Sequence, residues 1–143
     1  MDIRSLTATY AVSPQIDLAD LPAIKAAGFT TVIDNRPDGE IPPNLHASEM
    51  QAAAEALGLT FVVNQVVGGA MTPENVEAQG AAIAAASGPV LAYCASGNRS
   101  SVVWALSQAG NMPVDELIGL PAGFGYQLEH LRPQIMALAA RKA

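Results

Sequence analysis

Six consecutive residues carry the strongest chemical signal in the chain: Cys94-Ala95-Ser96-Gly97-Asn98-Arg99. Before them, Val90 to Tyr93 form a short apolar run after a Gly-Pro break, the pattern of a buried parallel strand. After them, Ser100 to about Ala109 reads as a helix stopped by Gly110. A strand that turns directly into a helix aims several backbone N–H groups at one point, and the helix dipole adds positive potential there. That point is an anion site. The loop opens with the only cysteine of the chain and closes with an arginine. A thiol at a helix N-terminus beside a guanidinium ionises more readily than a free one. The loop therefore pairs a nucleophilic Cys94 with an anion receptor made of Ala95, Ser96, Gly97, Asn98 and Arg99. The Ser100 hydroxyl either caps the helix or donates to the thiolate.

Other segments must position this loop. Thr7 to Gln15 reads as an edge strand, because Pro14 is poorly tolerated in a central one. Asp17 or Asp20 can cap a first helix with Pro22 in its first turn, and Gly28 stops it. Thr30 to Asp34 is a β-branched, apolar strand, and Asn35 to Pro43 is a loop with a Pro37-Asp38-Gly39 turn signal. His46 to Leu57 is helical, and Leu59 to Val63 is a strand. Thr72-Pro73-Glu74 opens a helix with cap, proline and acid in order, running to about Ala86. The segment from Pro113 onward is helical in pattern, with a break at Gly119 to Gly125 and a kink or restart at Pro133. Strands alternating with helices imply βαβ crossovers and a parallel sheet covered on both faces. Ligands then sit beyond the carboxyl ends of the strands. Three loops meet that rule: Asn35 to Pro43, Asn64 to Met71 and Cys94 to Arg99.

The 143 residues suit one domain, 1–143, and half of them are hydrophobic. The net charge of −6, with only 7 Lys and Arg, argues against nucleic acid and anionic membrane as partners. One cysteine excludes an internal disulfide, and two histidines give no metal-ligand spacing, so no metal or cofactor is expected. No signal-peptide pattern and no run long enough for a membrane span is present, so a cytoplasmic location is expected.

Asp34-Asn35-Arg36-Pro37-Asp38-Gly39-Glu40, followed by Tyr93-Cys94-Ala95-Ser96-Gly97-Asn98-Arg99-Ser100-Ser101 and Trp104-Ala105-Leu106, resembles the phosphatase-like domain of the beta-lactamase hydrolase-like proteins. The resemblance spans nearly the whole chain. It implies an α/β fold of the tyrosine and dual-specificity phosphatase type, three-layered (α/β/α), with a short, mainly parallel sheet. Some members of that family are fused to a persulfide dioxygenase domain. A dioxygenase partner here would then be a separate polypeptide. Three departures from true phosphatases matter. Their loop has five residues between Cys and Arg, and this one has four. They place His before the cysteine, and here it is Tyr93. Their general acid is an upstream Asp, and between Glu40 and Cys94 the chain has no Asp, only Glu49, Glu55, Glu74 and Glu77 in helix-like stretches. The shorter loop is similar to that of rhodanese-type sulfurtransferases.

Phosphoryl transfer needs room for three equatorial oxygens and an acid for the leaving alkoxide. Losing one residue removes up to about 3.5 Å of chain and should narrow the ring of amides. A terminal sulfane sulfur still fits, and sulfur transfer expels a thiolate or sulfite that leaves without an acid. The leading expectation is therefore persulfide transfer by Cys94 from a small anionic or persulfide donor to an external thiol acceptor. The alternatives are a cysteine-dependent phosphatase and a non-catalytic anion-binding module. Arg36 is either a second anion contact or a turn residue paired with Asp38 or Glu40. Asp38 and Glu40 are the candidate general acids of the phosphatase reading, and otherwise turn and salt-bridge residues. His46 and His130 read as solvated or capping, and Trp104, Phe124 and Tyr126 as core or site wall.

Overall fold

The strand that ends at Cys94 lies at the centre of the sheet. A computed structural model describes residues 1–142. Five strands, β1 (Arg4–Ser5), β2 (Tyr10–Ser13), β3 (Thr31–Asp34), β4 (Thr60–Val63) and β5 (Val90–Tyr93), pair in the order β1-β2-β5-β3-β4. The last four run parallel, and β1 is antiparallel to β2. Ser13, Tyr93 and Asp34 stand level at the carboxyl edge, which fixes where the loops emerge.

Side chains alternate across β5 and select the two layers. Leu91 and Tyr93 join Ala11, Val32 and Phe61 on one face, covered by α1 (Leu21–Ala26) and α2 (Ala47–Ala56) through Leu21, Ile24, Met50 and Ala54. Val90 and Ala92 join Tyr10, Val12 and Ile33 on the other. That face packs against α3 (Pro73–Ala85), α4 (Asn98–Ser107), α5 (Val114–Ala122) and α6 (Arg132–Lys142). Trp104 is buried there, stacked on Tyr10 at 5.7 Å between ring centroids. No helix among the described residues is long and apolar enough to cross a membrane.

Local signals mostly act as expected. Thr72 caps α3 through a reciprocal box with Asn75, with Pro73 in the first turn. Asp17 caps a short 3₁₀ turn leading into α1, and Gly28 follows that helix with a positive φ of 99°. Four readings change. The strand near Pro14 is interior rather than an edge, because it ends at Ser13 and the proline falls beyond the ladder. The helix after the cysteine loop starts at Asn98, with Gly97 in the left-handed conformation at its cap, so the turn is tighter than expected. Helix α5 runs through Gly119 and Pro121, because burial of Leu117, Ile118 and Pro121 holds its last turn, and the break comes after Ala122. Phe124 is 43% exposed and belongs to no core.

Candidate functional site

Cys94 leaves β5 fully buried, and the chain turns at once into α4. The turn is closed by a hydrogen bond from the Gly97 amide to Cys94 Sγ at 3.1 Å. Gly97 has φ of 94°, and a Cβ there would overlap the Tyr126 hydroxyl, so the position requires glycine. Tyr126 in turn donates to the Ser96 carbonyl at 2.7 Å, and the Ser96 hydroxyl accepts from the Asn98 amide at 3.2 Å. Among the described residues the amides of Ala95, Ser96, Arg99 and Ser100 find no acceptor. These four donors lie in one turn at a helix N-terminus, the arrangement that holds an oxyanion.

The three loops expected at the carboxyl edge do meet, and Arg99 joins them. Its guanidinium makes a two-pronged pair with Glu40, at 2.8 and 2.7 Å, and donates to the Val66 carbonyl at 2.8 Å. Arg36 reaches the same carboxylate at 3.4 Å, the Glu40 carbonyl at 3.1 Å and the Gln15 side chain at 3.3 Å. The bond to Arg99, assisted by Arg36, holds the Glu40 carboxyl below the ordinary range, so it is ionised at neutral pH. An ionised carboxylate is in the wrong state to act as an acid. Asp38 is occupied too, accepting from the Ala47 amide at 2.8 Å as the cap of α2. Ser100 turns away from the sulfur, and its hydroxyl donates to Asn35 Oδ1 at 2.9 Å. Asn98 is exposed at the rim, His46 precedes α2 with Nε2 against the Ile41 carbonyl, and His130 is exposed.

The acceptor of Ser100 belongs to a buried network that sequence reasoning missed. Gln79 of α3 accepts from Asn35 and Asn64, at 2.8 and 2.9 Å, and donates to Asn35 Oδ1 and the Tyr10 hydroxyl, at 3.2 and 3.0 Å. Tyr10 passes the chain on to the Ser100 carbonyl at 2.8 Å. Asn75 ties Asn64 to the start of α3. Strand β2, the ends of β3 and β4, and helix α3 are thereby fixed to the first turn of α4, with no formal charge in the network. The available signal was the four-residue spacing of Asn75 and Gln79, which puts two amides on one face of an alanine-rich helix.

A second missed group lies on the other sheet face. Asp34 is fully buried, and burial raises its carboxyl to about 6, against the pull of the Arg36 amide on Oδ1 at 2.9 Å. Among the described residues its Oδ2 and the neighbouring Tyr93 hydroxyl find no hydrogen-bond partner. Tyr93 is raised by burial and then by the Asp34 charge.

The fold, a mainly parallel sheet with a cysteine after its central strand and an arginine closing the loop, is that of tyrosine and dual-specificity phosphatase-like structures. The family model described as "Beta-lactamase hydrolase-like protein, phosphatase-like domain" matches residues 2–111, and the chain belongs to this family. The beta-lactamase hydrolase-like protein of Xylella fastidiosa is 33% identical over 130 residues, 90% of this chain and 30% of that protein. The chain thus spans under a third of that relative's length. A candidate phosphatase of Neisseria meningitidis superposes with a TM-score of 0.80 at 34% identity, over 96% of this chain and 99% of the other. The structure of PTPMT1 shares the fold, with a TM-score of 0.71 at 18% identity over 99% and 98% of the two chains.

Proposed function

We propose that the chain is a cysteine-dependent phosphatase acting on phosphate monoesters. This reverses the expected order of the two enzymatic readings, and the phosphatase-type fold of its relatives supports the reversal. The observation that carries the reading is the loop itself: Sγ held by the Gly97 amide, four amides of the same turn without acceptors among the described residues, and Arg99 at the rim. The Cys94 thiolate attacks phosphorus, the S–P bond forms, and the P–O bond to the leaving group breaks, the departing oxygen taking its proton from solvent water. Water then attacks the phosphocysteine, the S–P bond breaks to restore the thiolate, one proton of that water returns to solvent and the other leaves on inorganic phosphate. The amides and Arg99 hold the equatorial oxygens, which replace the Glu40 carboxylate on the guanidinium. Aryl phosphate turnover should fall by at least ~10⁴-fold in Cys94→Ser. Turnover unchanged in that variant would remove the reading.

One observation favours sulfur transfer as a second reading. The two nearby carboxyl groups are engaged, Asp38 as a cap and Glu40 as an ionised clamp, which suits a leaving group that needs no proton. The Cys94 thiolate would then attack the sulfane sulfur, breaking its bond to sulfite or to a thiolate, which leaves, and the outer sulfur of the resulting persulfide would pass to an external thiolate as Cys94 is released. Incubation with thiosulfate should add one sulfur to Cys94 by mass spectrometry, and an unmodified protein would exclude this route.

A further inference from the structure

A cleft of about 610 Å³ opens beside the anion loop, between α3, α4, α6 and the segment from Val66 to Pro73. Its volume is in the range of small-molecule sites. Asn98 and Arg99 belong to its wall, so it borders the end of the cysteine loop, while Cys94 to Gly97 lie outside it. From Arg99 the wall continues along one face of α4 through Val102 and Leu106, about 10 Å at the rise of a helix. Val76, Leu131 and Leu138 complete an apolar floor, all at most partly exposed. The polar groups of the cleft, Glu77, His130, Gln134 and Arg141, are exposed and stand at its rim. Arg99 stands between loop and cleft: its guanidinium holds the Glu40 carboxylate and the Val66 carbonyl of the cleft wall.

We propose that this cleft binds the apolar body of the substrate, and that the substrate class is an amphiphilic phosphate monoester. Its phosphate occupies the Cys94–Arg99 loop, and an unbranched alkyl chain of about eight carbons, matched to the ~10 Å stripe, lies along α4. This inference rests on the phosphatase reading for the head group and adds the tail. Burial of such a chain gives a large apolar driving force, so chain length is what the site reads.

The test is calorimetric binding of n-octyl phosphate and ethyl phosphate to the Cys94→Ser chain, where turnover does not interfere. Octyl phosphate, below its micellar concentration, should bind at least tenfold tighter than ethyl phosphate. Ala137 is an exposed residue of the cleft wall, and Ala137→Trp fills the cleft without disturbing the core. In that variant the octyl-to-ethyl ratio should fall to near one. Equal affinities in the parent chain would assign the cleft to another occupant, such as a polypeptide segment, and overturn the proposal while leaving the phosphatase reading intact. A ratio that survives Ala137→Trp would place the tail elsewhere and overturn it as well. If neither phosphate bound, the proposal would fall together with the anion loop beneath it.

Discussion

The cysteine loop is held on its buried side by neutral amides and on its open side by charges, and the two supports differ in kind. Gln79, Asn35, Asn64 and Tyr10 are buried and satisfied by one another. Their bonds lie away from water, so each is strong in place and expensive to leave half made. Arg99, Arg36 and Glu40 are partly exposed, at 17–34% of their side-chain surfaces. Water and salt weaken such pairs, which can be exchanged for a ligand at little cost. The difference assigns positioning to the amides and exchange to the ions.

The largest effect should come from breaking the neutral side. Gln79→Leu removes four buried hydrogen bonds, leaving Asn35 and Asn64 each with one amide N–H unpaired and Tyr10 without its donor, and urea unfolding should show a loss of about 3–5 kcal/mol. A loss below ~1 kcal/mol would mean that the network holds little. Asp34→Asn probes a buried charge that is not balanced in this way. Its folded pKa lies above the unfolded one, so the native state binds the extra proton and stability falls as pH rises from roughly 4 to 6. The neutral variant should therefore gain up to about 3 kcal/mol at pH 8 and almost nothing at pH 4. An equal gain at both would contradict the assignment. Gly97→Ala should cost about 1–2 kcal/mol from the left-handed backbone, with a further loss from displacing Tyr126.

The smallest stability effect belongs to the ionic side. Glu40→Gln should change unfolding by under ~1 kcal/mol, because the pair is partly exposed. Inorganic phosphate, however, should bind several-fold tighter to that variant at low salt, with the gain shrinking as salt rises. Weaker phosphate binding would show that Glu40 orients Arg99 rather than competing for it. Glu40 itself titrates only in the acid range, since its folded pKa is depressed and its contribution is lost as pH falls through that value.

The skeleton of the site was legible because it rests on local rules. An apolar run ending at Cys94, a cap at Thr72 and alternating periods place three loops at one sheet edge. Arg99 as the closing residue followed from the strand-to-helix turn. The partners of the side chains were not legible. Asp38 caps a helix nine residues on, and Ser100 chooses Asn35 over the sulfur, because tertiary packing decides which acceptor is nearest. The amides of α3 sit in a run of alanines whose weak periodicity does not say which face is buried. Asp34 reads as the last residue of a strand, and only the register beside Tyr93 shows it sealed.

The central claim is that Cys94 Sγ carries the phosphoryl group between substrate and water. Rapid acid quenching of the chain with p-nitrophenyl phosphate, followed by peptide mass spectrometry, tests it directly. The expected result is a phosphate adduct on the Cys94 peptide that is missing in Cys94→Ser. Continued p-nitrophenol release by Cys94→Ser, with no adduct on the parent peptide, would contradict it.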